Sequence, residues 1–201
     1  MATVIRLAEP SDGLQLADIY RPAVTDSAVS FELEPPSGAE MGERVARVLQ
    51  RTPWLVCARG DRLLGFAYAT AHRERAAYQW SVDVSAYVHS DARRVGIARS
   101  LYSSLFAVLV VQGYRNAYAG ISLPNVASVR LHESVGFTPV GVYRGVGFKH
   151  GAWRDVAWFE RLLALREIAP GPPRLVPQCR EEPEFMAAIK AGEVQFEPPV
   201  V

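Results

Sequence analysis

The chain has 201 residues, 49% of them hydrophobic and 21% charged, enough for one compact domain with a sizeable core. Lys and Arg number 22 against 21 Asp and Glu, a formal net charge of +1; no global basic field recommends a nucleic acid or an anionic membrane as partner, so any anion site must be local. No apolar run reaches the roughly 18 residues of a membrane span, no basic segment leads into an apolar stretch at the N-terminus, and Cys57 and Cys179 lack a metal-type spacing; the expectation is a soluble, unprocessed cytoplasmic protein without a metal.

Residues 4–7 alternate as a short strand, and Ser11 offers an N-cap to a helix carrying Leu14, Leu16, Ala17 and Ile19 toward Tyr20. The loop "TDSAVSFELEPPSG" follows. From 39 to 51, Met41, Val45, Val48 and Leu49 recur near helical spacing until Pro53 ends the helix. "WLVCARGDRLLGFAYAT" reads as two strands around a Gly60-Asp61 turn. Over 78–88, Trp80, Val82, Val84, Ala86 and Val88 alternate with Gln79, Ser81, Asp83, Ser85 and Tyr87, so Asp83 shares a face with Ser85 and Tyr87. A helix over about 96–112, a turn at Gly113, the short strand "NAYAGIS", a Pro-Asn loop and a helix ending at Gly136 come next. Strands over about 140–148 and 156–163 complete the order β, α, α, β, β, β, α, β, α, β, β. That order predicts an α/β (α+β) domain, a mixed central sheet flanked by helices. After Ala169 the composition changes, with seven of the 14 prolines. The expectation is a domain over 1–168 and a Pro-rich C-terminal extension over 169–201, either a dimer arm or a disordered tail, with a short helix near 185–191.

The stretch "DARRVGIARSLY" lies between the third strand of that central run and a helix. A strand that ends in a loop with free backbone N–H groups and then a helix N-terminus can bind phosphate through those amides and the positive end of the helix dipole. Gly96 allows close approach of the backbone, Ala98 keeps the next turn small, and Arg93 and Arg94 add charge. The alternative is an ordinary helix start, capped by Asp91, with solvated arginines. The position of the loop and the "PNVAS" one element later favour a cofactor site.

Arg93-Arg94-Val95-Gly96-Ile97-Ala98 matches the pyrophosphate-binding signature of the GCN5-related N-acetyltransferases (GNAT). The chain resembles most closely their phosphinothricin and methionine-sulfoximine acetyltransferases, through "VSFELEP", "PWLV", "RAAYQWSVDVSAYV", "LPNVASVRLHESVGF" and "GFKHGAWRDVAWF". The resemblance runs from about Val4 to Leu163, some four-fifths of the chain. It implies the acyl-CoA N-acyltransferase fold, acetyl-CoA as co-substrate, a small amine acceptor attacked directly in a ternary complex, and a homodimer.

An α-amino group, with a pKa of about 8, is mostly protonated at neutral pH, so a base must take its proton. Strands disfavour Asp, so Asp83 between Val82 and Val84 needs a reason; the resembling enzymes carry a Glu there, as "TVE" for this chain's "SVD". Asp is shorter by one C–C bond, roughly 1.5 Å, and a bridging water would restore the relay. His132 stands where most of the superfamily has a Tyr that protonates the leaving thiolate and this subgroup has His. Its imidazole suits either accepting the amine proton or protonating sulfur. The resemblance further implies that Asn125 and Ser128 bind the pantetheine arm, Asn125 also being a good helix cap, and that the backbone of Ala86, Tyr87 and Val88 pairs with its amides as an added strand would. Arg73 and Arg75 match basic residues that meet acidic groups of the acceptor, and Phe31 and Tyr78 match aromatic residues of that pocket. Ser122 replaces a Gly usual in the herbicide-detoxifying members, which bears on the acceptor. Phosphinothricin, methionine sulfoximine, methionine sulfone and other amino acids stay open, as do another small amine or antibiotic and a CoA-binding sensor without catalysis.

Overall fold

The structure, a computed structural model, describes residues 2–193. Seven strands form one sheet in the order β1-β2-β3-β4-β5-β7-β6: β1 (Thr3–Leu7), β2 (Trp54–Arg59), β3 (Arg62–Ala71), β4 (Ser81–Val88), β5 (Asn116–Ser122), β6 (Thr138–Lys149) and β7 (Ala152–Leu162). All pairs are antiparallel except β4 with β5. The mixed sheet expected from the sequence is therefore present.

α1 (Gly13–Thr25) and α2 (Gly38–Val48) cover one face, where Leu16, Ala17, Val24, Met41 and Val45 meet Trp54, Val56 and Phe66. α3 (Ile97–Gln112) and α4 (Val126–Ser134) cover the other, where Leu101, Leu105 and Leu109 meet Leu55, Val82, Val84 and Ala117. Successive residues of a strand point to opposite faces, so β4 sends Val82 and Val84 toward α3 while Asp83, Ser85 and Tyr87 face α1. The Tyr20 and Tyr87 rings meet edge to face at 4.8 Å on that side.

Ser11 does not cap α1. A 3-10 turn, Pro10–Asp12, comes first, and its Asp12 carboxylate accepts from the Glu9 N–H at 2.8 Å and from Arg6 at 2.8 Å. Asp12 stands at the N-cap of α1 without a side-chain capping bond, because its carboxylate is already engaged by Arg6 and the Glu9 N–H. Helix α1 also runs through Pro22 to Thr25, and residues 76–78 form a 3-10 turn ahead of β4 instead of joining it.

The expectation of an extended arm does not describe residues 169–193. α5 (Val176–Cys179) and α6 (Pro183–Ile189) fold back, and Val176, Cys179, Phe185 and Ile189 are buried in the same core as α3. The turn after α6 approaches α3 so closely that a Cβ on Gly192 would meet the Ser100 carbonyl oxygen at 1.9 Å; its N–H donates to Ser104 Oγ at 3.0 Å, and Glu193 accepts from the Ile5 N–H at 2.7 Å. Apolar side chains spaced between the prolines gain more from this burial than an extended segment would from solvation. Residues 194–201 of the predicted extension lie outside the described residues. Among the described residues no helix is long and apolar enough to cross a membrane.

Candidate active site

β4 and β5 pair only at Ser81–Asn116, Val82–Ala117 and Asp83–Tyr118. Beyond Asp83, β4 continues to Val88 on the arm of β3, and β5 continues to Ser122 on β7. The two parallel strands therefore part, leaving the inner edge of residues 84–88 without a neighbouring strand, as an extended ligand that pairs by backbone would need.

A passage of about 60 Å³ crosses the sheet at this gap, between Ser85, Tyr87 and Gly120 on one side and Tyr102 and His132 on the other. It shares Ala86, Tyr87, Asn125, Ser128 and His132 with a cleft of about 730 Å³ whose wall also includes Val88, Arg93 and Ala98. These eight were expected together and are brought together.

The rest of the loop contributes differently. Asp91 does not cap α3; it pairs with Arg62 at 3.0 Å. The N-cap is Gly96, at φ +86° with no side-chain cap, and Ser100 N–H to Gly96 O at 2.9 Å is the first helical bond. Helix geometry leaves the N–H groups of Ile97, Ala98 and Arg99 without intrahelical partners. Nothing lies within 4 Å of where a Gly96 Cβ would be, so an anion has open access to these amides. Arg94 and Val95 are exposed, and the Ile97 side chain is buried in the core. Neither Val95 nor Ile97 presents its side chain to the cleft, and what they offer is backbone. Together, the parted strands and the uncapped, open helix start fit a long ligand with a phosphate end and amides along its arm.

Asn125 is both cap and wall: its side-chain oxygen accepts from the Ser128 N–H at 3.1 Å. His132 is buried, with Nδ1 2.8 Å from the Ser128 carbonyl oxygen and Nε2 2.9 Å from the Tyr102 hydroxyl. A carbonyl can only accept, so Nδ1 carries the proton and Nε2 accepts from Tyr102. Burial holds this imidazole below its ordinary pKa, and the neutral ring is the favoured form. Tyr102, fully buried on α3, escaped the sequence reading because its spacing is that of any core aromatic.

Asp83 lies opposite Thr70 of β3, and its Oδ1 is 2.6 Å from Nδ1 of His72. Burial pushes the Asp83 carboxyl above its ordinary range, while the His72 hydrogen bond and the His72 and Arg73 charges pull the other way. The His72 ring stacks on Tyr118 at 4.3 Å and meets Tyr78 and Trp158 edge-on at 5.9 and 6.2 Å. His72 was overlooked, although it follows Phe66, Tyr68 and Thr70 in strand alternation. The Arg73 guanidinium donates to the His72 carbonyl at 2.9 Å and lies 5.9 Å over Trp158. Arg75 is exposed at the start of the 3-10 turn and joins no contact of this group. Phe31 lies apart too, its ring against Gly147 of β6, where a Cβ would come within 2.2 Å. Lys149 holds that loop by donating to the Ser30 and Glu32 carbonyls at 2.7 Å each, and His150 lies 3.1 Å from the Ser27 carbonyl. "KHGAWRDV" thus ties the β6–β7 hairpin to the loop after α1.

Residues 5–158 match the family described as Acetyltransferase (GNAT) domain. This chain belongs to the GNAT acetyltransferases. A phosphinothricin N-acetyltransferase of Streptomyces viridochromogenes is 38% identical over 172 residues, 86% of this chain and 92% of that protein. An L-methionine sulfoximine/L-methionine sulfone acetyltransferase of Salmonella typhimurium is 31% identical over 160 residues, 79% and 94% of the two chains. The crystal structure of a phosphinothricin acetyltransferase from Sinorhizobium meliloti in complex with AcCoA superposes with a TM-score of 0.79 at 32% identity, over 88% of this chain and 99% of that one. The GNAT chain is thus an acetyl-CoA-dependent N-acetyltransferase with the fold the sequence predicted.

Proposed function

We propose that this enzyme acetylates the α-amino group of a small amino-acid-like acceptor of the phosphinothricin, methionine sulfoximine or methionine sulfone type. The observation that carries the reading is the gap between β4 and β5, with a carboxyl group, Asp83, on the acceptor face of its closed end. Bound acetyl-CoA supplies a thioester carbonyl as electrophile. The amides of Ile97, Ala98 and Arg99, with Arg93 and Arg94, hold the pyrophosphate. The open edge of Ala86, Tyr87 and Val88 pairs with the pantetheine arm, and Asn125 and Ser128 bind it from the opposite wall. Asp83 supplies the negative charge that draws the acceptor's ammonium group to the closed end of the gap. Arg73, with the aromatic rings of Tyr78 and Trp158, meets the acidic end of the acceptor. Arg75 and Phe31 act at the rim. His132, held neutral, and the Tyr102 hydroxyl form the polar wall where the sulfur leaves.

The enzyme works as a homodimer. β6 is a free edge strand, and Val140, Val142, Tyr143, Val146 and Phe148 on it, with Trp153 beyond the turn, are exposed, an apolar surface of the kind a partner covers. Two free, buried cysteines are consistent with a cytoplasmic setting. CoA release at fixed acetyl-CoA, measured against phosphinothricin, methionine sulfoximine, methionine sulfone and the common amino acids, tests the reading. Saturable release with one of these is expected, and silence across the panel with acetyl-CoA binding intact refutes it.

A further inference from the structure

We propose that His72 is the catalytic base and that Asp83 orients it, so that the acceptor ammonium gives its proton to His72 Nε2. This rests on the acetyl-transfer reading above and names the atom that acts in it.

A hydrogen bond of 2.6 Å joins Asp83 Oδ1 to His72 Nδ1, with the two side chains only 30% and 13% exposed. A carboxylate that accepts from Nδ1–H fixes the tautomer and leaves Nε2 as a free base, the division of labour in hydrolytic triads. The rings of Tyr118, Tyr78 and Trp158 hold the imidazole plane. Nε2 makes no hydrogen bond among the described residues and is not among the side-chain nitrogens sealed from solvent. His132 offers no such atom, since both its nitrogens are engaged inside the protein. Length points the same way: Asp83 stops one C–C bond short of a glutamate, and the imidazole ring extends the reach of the charge on β4. The ionisable groups facing His72 are Asp83 from β4, Tyr118 from β5, Tyr78 from the 3-10 turn and Arg73 from its own loop.

The chemistry balances without a further reactant. The ammonium loses one proton to Nε2, and the resulting imidazolium is stabilised by Asp83. The neutral amine's lone pair forms the C–N bond while the C–S bond breaks with its electrons on sulfur. The second amine proton neutralises the thiolate, giving amide and free thiol, and His72 returns its proton to water.

Three variants and one spectrum test this. With an acceptor the wild type uses, His72→Ala is expected to lower kcat/KM on the order of 100-fold or more, with acetyl-CoA affinity unchanged and turnover recovered by added imidazole. His72→Gln, whose amide can still donate to Asp83, is expected to fall as far; a wild-type rate would make His72 a positioning residue and overturn the assignment, as would a failure of imidazole to rescue a folded His72→Ala. Asp83→Asn is expected to lower kcat and to shift the acid limb of the pH profile. Nitrogen-15 NMR of the wild-type protein, which needs no acceptor, is expected to show His72 protonated at Nδ1; protonation at Nε2 alone refutes the pairing. Absence of turnover by the wild type with every acceptor of the panel removes the amino-acid acceptor reading, whereas turnover without rescue removes only His72.

Discussion

Replacing Phe185 by Ala asks whether the C-terminal segment belongs to the core of the domain. The side chain is 0% exposed and packs in the cluster of Leu101, Leu105 and Leu109 on α3. Removing a buried phenylalanine ring costs about 3–5 kcal/mol through lost transfer energy and the cavity left behind. For a chain of this length about 1 kcal/mol moves Tm by about 2–4 °C, so a fall of roughly 6–20 °C is expected. Met186, the next residue of α6 and 47% exposed, is the control; Met186→Ala is expected to stay within about 0.5 kcal/mol. Urea and thermal unfolding followed by circular dichroism read both variants. A Phe185→Ala change under about 1 kcal/mol would refute the reasoning, since a segment resting loosely on the domain loses little when its largest side chain goes. The α3 helix that Phe185 supports begins at Gly96, in the loop proposed to hold the pyrophosphate, so acetyl-CoA affinity is worth measuring on the same samples.

Gly96→Asp places a negative side chain at φ +86° over the open amides of α3; acetyl-CoA affinity measured by calorimetry is expected to fall on the order of 100-fold, about 2.7 kcal/mol, with the fold retained. His132 titrates below its ordinary pKa when folded, so below about pH 6.5 the unfolded chain binds more protons than the native one. Its contribution to stability is complete above that pH and is lost as the pH falls through the depressed value; urea midpoints of wild type and His132→Asn are expected to converge from pH 7 toward pH 5, and a constant gap would count against a neutral imidazole. Lys149→Met leaves the Ser30 and Glu32 carbonyls without their donor, at a cost of about 1–3 kcal/mol; steady-state kinetics should show a higher KM for the acceptor with acetyl-CoA affinity preserved.

Period and punctuation carried most of the secondary structure. The alternation from Trp80 to Val88 set Asp83, Ser85 and Tyr87 on one face, and Gly60, Gly113 and Gly136 marked turns where φ is positive. The open helix start at Gly96 was legible because its requirement is local, namely a glycine with positive φ and bare amides behind it. The tautomer of His132 was not legible, since only the Ser128 carbonyl and the Tyr102 hydroxyl determine it. The Pro-rich segment misled because proline punctuates an extended chain and a packed one alike; Phe185 and Ile189 find α3 only once the chain has folded back.

By itself the sequence determined the order of elements, the faces of β4 and the glycine at the start of α3, all consequences of spacing between near neighbours. The tertiary structure alone decided that β4 and β5 pair for three residues and then part, that His72 at the end of β3 reaches Asp83 on β4, and that Lys149 ties down a loop 117 residues away at Glu32. Those contacts depend on strand register and hairpin reach, and no local pattern encodes which distant residues a closed core brings within hydrogen-bond distance.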